Sequence, residues 1–134
     1  MYVFVYGTLT DPEQVEAVLE TDQAVFGGTA TLEGFHRVDG RYPTLAPGGR
    51  TAGRLLSVDE DELARLDRYE GVERGLYVRV SVPRASGDET AEVYVGDPTR
   101  LGVDDRHEWP DGSSVRERVR RAIDSRSAVI RRHE

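Results

Sequence analysis

The sequence predicts an α+β fold in which strands curl around a core and helices pack outside it. Three observations carry this. Apolar runs are short, several alternate with a period of two, and they end in Gly or Pro clusters. Between them lie three helix starts in which a capping residue is followed three positions later by Glu or Gln. The 134 residues are 37% hydrophobic and 32% charged, enough to bury roughly 68% of the unfolded surface. No repeat or linker divides the chain, so residues 1–134 read as one domain ending in an Arg-rich helix and tail, 113–134.

Met1 to Tyr6 reads as a central strand, since Val3, Phe4 and Val5 are consecutively apolar. Asp11-Pro12-Glu13-Gln14 supplies an N-cap acid, a proline at the first helical position and a Gln placed to close a capping box, predicting a helix to about Glu20. Ala24 to Asp39 is rich in Val, Phe, Thr and Gly without a helical period, giving one long bent strand or two, with Gly27, Gly28 and Gly34 as bulge points. The two prolines and two glycines of Arg41 to Arg50 predict a loop, and Thr51 to Leu56 a strand. Ser57 and Glu60 predict a second capping box, heading a helix with Leu63, Leu66 and Tyr69 as its apolar stripe and Gly71 as its stop. Leu76 to Pro83 and Thr90 to Val95 read as a hairpin around ASGDE, followed by a long loop from Gly96 to Gly112. Ser114 to about Arg126 is the third helix, with Glu117 in capping register, and the final RRHE is expected to fray.

Composition removes several chemistries. There is no cysteine, so disulfides, thiolate metal sites and cysteine nucleophiles are excluded. All 18 basic residues are Arg, which excludes Schiff-base lysines and the lysine of a phosphate-binding P-loop. The net charge of −7 includes seven Arg and three acids from Ser113 onward, leaving −11 on the rest; the body repels nucleic acid, while the tail is free to meet an acidic surface. Acid-rich, lysine-free composition leads to the expectation of a salt-adapted host. No apolar stretch approaches the roughly 20 residues of a membrane span. Met1 leads straight into a patterned strand without a basic leader, so the expected location is the cytoplasm.

Two stretches carry candidate chemistry. In VYGTL, Gly7 allows a ligand close to the backbone, and the amides that follow can converge on a carboxylate or oxyanion near the dipole of the Pro12 helix. On its own, a strand ending in Gly is ordinary structure. In LDRYEG, Asp67 and Glu70 lie three apart on one helical face, and Glu70 sits at the helix end where the dipole disfavours an anion. Burial there would raise its pKa toward neutrality, as a general base requires, although an acid on so charged a helix can equally be solvated. His36, His107 and His133 have no metal-ligand spacing, and no GxSxG is present. Trp109 reads as a seal on the core edge, and the Arg-rich helix as a solvated face or a partner contact.

Taken in order, VFVYGTL, RYPTLAPGG, TAGRLLSV and LARLDRYEGVERGLYVRVSV resemble the gamma-glutamyl cyclotransferase-like family across roughly the first 95 residues. The resemblance implies a small mixed-sheet barrel flanked by helices with one pocket. It implies that Tyr6, Gly7, Thr8 and Leu9 form the turn holding the glutamyl half of a substrate, and that Glu70 is the general acid/base. Tyr77 would line the pocket, and Tyr42 with Pro43 its rim. Arg54 departs from the pattern, standing where a neutral or acidic residue is expected, and the chain after Val95 matches only loosely.

The implied reaction is cyclisation of a gamma-glutamyl small molecule to 5-oxoproline with release of an amine. It needs no metal or cofactor, no nucleic acid and no membrane. Two other readings stand beside it: a non-catalytic module that holds a small carboxylate or a partner, and a hydrolase using Asp67 and Glu70 as paired carboxylates.

Overall fold

In the computed structural model, residues 1–21, 25–86, 89–103 and 109–133 are described. His107 and the tip of the ASGDE turn, Gly87-Asp88, lie outside them. Among the described residues six strands form one sheet in the order β4-β5-β1-β3-β2-β6. β1 (Tyr2–Val5) is interior, parallel to β5 (Thr90–Gly96) and antiparallel to β3 (Pro43–Ser57). The other pairings are antiparallel: β3 with β2 (Phe26–Asp39), β2 with β6 (Val129–Arg132), and β4 (Tyr77–Pro83) with β5. The sheet curls until a parallel bridge from Arg84 to Ile130 brings its two edges together. Arg84 is buried there, paired to Glu89 at 2.7 Å with its guanidinium over the Tyr2 ring.

β2 is a single strand, with register shifts at Phe26/Gly28 and Glu33/Phe35. Gly28 and Gly34 absorb them at φ 113° and 105°, values that favour glycine. Pro43 to Arg50, expected as a loop, is instead the first half of β3. Among the described strands only β2 pairs with it here, since β1 pairs no further back than Arg54. Pro43 begins the strand, and Pro47 faces Phe35 beside the second bulge, so the missing amide hydrogens cost little. The tail is not frayed: β6 pairs with β2, Ile130 is buried, and His133 N donates to Thr29 O at 3.0 Å. A four-residue strand with a single fully buried apolar side chain is too short for periodicity to reveal.

α1 (Pro12–Leu19) is capped by Asp11, which accepts from Glu13 N, but Gln14 reaches the Tyr69 hydroxyl rather than closing a box. α2 (Glu60–Tyr69) starts two residues later than the Ser57 signal, because Ser57 still belongs to β3. Its box is Asp59 with Glu62, bonds of 2.8 and 3.0 Å. Asp59→Ala should therefore cost about 1 kcal/mol, read as a shift in urea midpoint at constant m-value. α3 (Val115–Ser125) is capped by Ser114, while Glu117 turns back to Ser113. No helix among the described residues is long and apolar enough to cross a membrane.

The sheet buries apolar side chains on both faces, which explains the unbroken VFV of β1. Val3 and Val5 pack with Val15 and Leu19 of α1 and Leu63 and Leu66 of α2. Phe4 points the other way, among Leu32, Leu55, Val93 and the Val119, Ala122 and Ile123 stripe of α3. Trp109 closes the edge of this second core, its ring 6.3 Å from Phe35. Much of the Arg-rich tail is spent on the chain itself. Arg116 donates to Arg79 O, Arg118 to Pro110 O, Arg121 to Asp111 O and Glu117, and Arg131 to Glu33.

Candidate active site

β1 delivers Tyr6 to the sheet end, where its buried hydroxyl donates to Tyr94 O. The chain then winds into a 3₁₀ turn, Thr8–Thr10, capped by Gly7. Gly7 O accepts from both Thr10 N (3.1 Å) and Thr10 Oγ1 (2.7 Å). The Thr8 and Leu9 amides precede the turn's first internal bond and so have no acceptor within it. Gly7 has φ −124°, so it is not there for a left-handed backbone; a Cβ would point at Pro43, 3.5 Å away. Its bareness keeps open the gap between the turn and the opposite wall. Arg54, the departure from the family pattern, braces this region: Nη1 donates to Thr10 O at 3.0 Å, and the guanidinium covers the Phe26 ring. The α1 N-terminus is occupied by its own Asp11, and the cavity lining stops at Leu9, so the turn rather than α1 faces the cavity.

α2 positions the acid. Burial of Leu63 and Leu66 fixes the helix rotation, Glu70 N donates to Leu66 O at 2.8 Å, and Gly71 at φ 67° ends the helix. Glu70 is half-buried, and its pKa is raised to about 7 by loss of hydration. Asp67 serves a different purpose. Its carboxylate accepts from the Tyr94 hydroxyl at 2.6 Å and pairs with Arg79 Nε at 2.9 Å; Arg79 in turn holds Glu92 at 2.7 Å. Asp67 thus ties α2 to β4 and β5 and does not line the cavity, which leaves no second carboxylate among the described lining residues for a paired-carboxylate hydrolase.

Both parts open on one cavity of about 300 Å³. Tyr6, Gly7, Thr8, Leu9, Tyr42, Pro43, Glu70 and Tyr77, the eight residues singled out from the sequence, all line it. Its roof is the β2–β3 hairpin tip, held down by Tyr77 Oη donating to Pro43 O and by Gly96 N donating to Thr44 Oγ1 at 2.8 Å. Sequence reasoning missed Phe4, Val5, Tyr69, Arg74, Leu76 and Tyr94 as lining residues. Tyr94 was signalled by alternation: in β5, Ala91, Val93 and Val95 face one core and Tyr94 the other. No periodic signal marks Arg74, which stands in the turn after α2.

Five of the chain's six tyrosines line the cavity, so its wall is aromatic with hydroxyl tips. Tyr6 is raised above the usual phenol range by burial, then by Tyr77 and Glu70. Tyr77 is raised by burial, then by Glu70, Tyr69 and Tyr42, and Tyr94 by burial, then by its bond to Asp67. These hydroxyls stay protonated and act as donors. Tyr42 and Tyr69 are 53% and 40% exposed, which marks them as the mouth. Tyr69 is fixed there by Thr8 Oγ1 at 3.1 Å and Gln14 Nε2 at 3.3 Å. Among the described residues no cluster of side chains is arranged to hold a metal ion.

The chain resembles several known proteins. AIG2-like protein C of Arabidopsis thaliana is 37% identical over 118 residues, 80% of this chain and 67% of the relative. AIG2-like protein A of the same plant is 35% identical over 121 residues, covering 80% and 70%. Among solved structures, a gamma-glutamyl cyclotransferase superposes with a TM-score of 0.62 at 18% identity, over 92% of this chain and 98% of the other, a likeness of fold. A solution structure of an Arabidopsis thaliana protein superposes with a TM-score of 0.57 at 30% identity, over 92% and 83%. The family model described as gamma-glutamyl cyclotransferase, AIG2-like, matches residues 3–113, from β1 past the cavity to the start of α3. The chain belongs to the gamma-glutamyl cyclotransferase, AIG2-like family.

Proposed function

We propose that the protein cyclises gamma-glutamyl amides to 5-oxoproline, with Glu70 moving the protons. The observation that carries this reading is that a carboxyl with a pKa of about 7 shares a 300 Å³ cavity with the Gly7–Leu9 turn. The Thr8 and Leu9 amides hold the glutamyl half, and the tyrosine wall packs its methylenes. The neutral α-amine attacks the γ-carbonyl carbon and, as the new bond forms, passes a proton to the Glu70 carboxylate. A C–N bond forms, the original amide C–N bond breaks, and the departing nitrogen takes the proton back from Glu70. The products are 5-oxoproline and the free amine.

Both reacting groups belong to one molecule, so holding them in a near-attack arrangement supplies an effective molarity of about 10⁵ to 10⁸ M. Proton transfer by one positioned carboxyl contributes roughly 10²- to 10⁴-fold, and a backbone donor on the developing oxyanion about 3 kcal/mol. A group poised near pH 7 suits both proton steps.

Incubation with a panel of gamma-glutamyl amines and peptides, with 5-oxoproline scored by mass, tests the reading. The kcat/KM profile should rise with pH through an apparent pKa near 7 as the Glu70 carboxylate becomes available. A profile flat from pH 5 to 9 argues against Glu70 as the base. Ligands that raise Tm without any turnover would favour the non-catalytic binding reading instead.

A further inference from the structure

We propose that Arg79 is a positioning residue for the proton-transfer site: held by Glu92, it offsets the charge of Asp67, so that Glu70, three residues further along α2, has no uncompensated anion beside it. The role in proton transfer rests on the cyclisation reading above, to which Arg79 adds control of the pH range in which Glu70 can work.

Asp67, Arg79 and Glu92 form a row of charges across three elements, α2, β4 and β5. Arg79 Nε stands 2.9 Å from Asp67 Oδ1, and Arg79 Nη1 donates to Glu92 Oε1 at 2.7 Å. Glu92 Oε2 in turn accepts from Ser81 Oγ at 2.6 Å, and Arg116 of α3 donates to Arg79 O at 2.9 Å. The side chains of Asp67, Arg79 and Glu92 are 27%, 29% and 21% exposed, so water screens their charges only in part. The two links of Arg79 differ in kind. The one to Glu92 is a directed hydrogen bond, whereas the buried Nε makes none among the described residues, although Asp67 is close. Asp67 therefore feels Nε as a charge rather than as a donor. A directed bond to Asp67 comes instead from Tyr94 Oη, at 2.6 Å, so loss of the Arg79 charge leaves Asp67 tied in place.

Few other charges reach Glu70. From β1, the β2–β3 hairpin, α2, β4 and β5 the cavity presents phenols: Tyr6, Tyr42, Tyr69, Tyr77 and Tyr94. From α1, the uncharged Gln14 is bound to Tyr69 Oη, and Arg37 of β2 is directed to Tyr6 O and Asp39. Arg68, Glu73 and Arg74 are exposed to water, which weakens their reach. Asp67 is thus the partly buried charge on Glu70's own helix face, and Tyr94 joins it to the cavity wall. Burial alone accounts for the raised pKa of Glu70, about 7, as a neutralised Asp67 requires.

The test is the midpoint of the Glu70 titration in four variants. Arg79→Met leaves Asp67 uncompensated and should move the midpoint upward from about pH 7 by about half a pH unit or more. Asp67→Asn leaves a guanidinium beside the site, while its amide oxygen still accepts from Tyr94, and should move the midpoint down by a similar amount. The double variant lacks both charges and should return close to the parent, and Arg79→Lys should stay near it. A tether with a merely structural role would give no opposite shifts and no restoration in the double variant. The midpoint is read in two ways: from the pH dependence of kcat/KM for 5-oxoproline release, and from carbon-13 NMR titration of the Glu70 carboxyl, assigned with Glu70→Gln. The NMR titration needs no turnover. Absence of 5-oxoproline from every gamma-glutamyl compound would therefore remove the cyclisation reading and leave the Arg79 assignment to be decided by NMR. Midpoints of Arg79→Met and Asp67→Asn that coincide with the parent's, or that move in the same direction, overturn the proposal. Should Arg79→Met fail to fold, Asp67→Asn decides alone, since an unmoved or raised midpoint overturns it.

Discussion

Glu70→Gln is expected to fold normally, to lose roughly 10²- to 10⁴-fold or more in 5-oxoproline release, and to melt at a higher temperature than the parent at pH 8. The stability gain follows from the sign of the pKa shift. In the unfolded chain the carboxyl titrates near 4.5, and in the folded one at about 7. Between these values the native state keeps a proton that the unfolded state has released, so stability is complete below pH 4.5 and falls as pH rises through 7. The full shift corresponds to at most about 3 kcal/mol, and partial hydration of the side chain lowers the observable part to roughly 1–3 kcal/mol. Glutamine occupies the same volume and stays neutral at every pH. Melting curves at pH 4 should nearly coincide, and those at pH 8 should separate by several degrees. Coincidence at pH 8 would mean that the carboxyl is well hydrated in the folded chain, and full activity would remove Glu70 from the mechanism.

Gly53→Ala is expected to be the most damaging single methyl in the sheet. A Cβ at Gly53 would stand 2.3 Å from Val5 O and 2.7 Å from Phe4 Cζ. Val5 O belongs to the paired backbone of β1, and Phe4 is packed within the core, so neither can yield cheaply. Overpacking of this kind costs typically 1–3 kcal/mol, and a clash with backbone puts it at or above the upper end, about 3 kcal/mol. The strain falls one residue before Tyr6, so activity should drop even under conditions where the variant stays folded. Gly7→Ala is the control for stability, because its Cβ would meet Pro43 at an ordinary 3.5 Å. Urea denaturation of the two variants should separate their midpoints clearly; equal midpoints would mean that β1 and β3 pull apart more easily than their pairing implies.

The parts of the fold legible in the sequence were those written in local chemistry. Asp11 with Pro12, Ser114 with Glu117, and Gly71 after Tyr69 are short-range signals, and they located the helices to within a residue or two. Gly28 and Gly34 marked the bulges of β2 because only a positive φ fits there. The misreadings came from pairing that depends on distant partners. Pro43 and Pro47 look like loop residues until β2 is seen to provide the neighbour that makes them strand, and Val129 to Arg132 have almost no apolar signal until β2 offers its free edge. The same division holds in the site. The YGTL turn and Glu70 were visible through the strand end, the helix end and the family resemblance. Asp67 was misread as a possible partner of Glu70 because helical spacing gives a shared face but says nothing of Arg79 and Tyr94, which arrive from β4 and β5 and claim its carboxylate. Arg74 and Tyr69 at the mouth are defined by tertiary placement alone.

The cavity lies at the seam of the two apolar cores: Tyr6 belongs to the one shared with α3, while Leu9, Tyr77 and Tyr94 belong to the one shared with α1 and α2. A site built on such a seam is adjustable from behind. A change of one methylene at Val3 or Val15 can tilt α2 against the sheet, and one at Leu45 or Val95 can move the hairpin roof, with no lining residue replaced. Substrate range in this fold can therefore drift through volume changes in the interior while the turn and the acid stay fixed, and selection for new leaving groups should recover buried apolar substitutions as often as changes at the mouth.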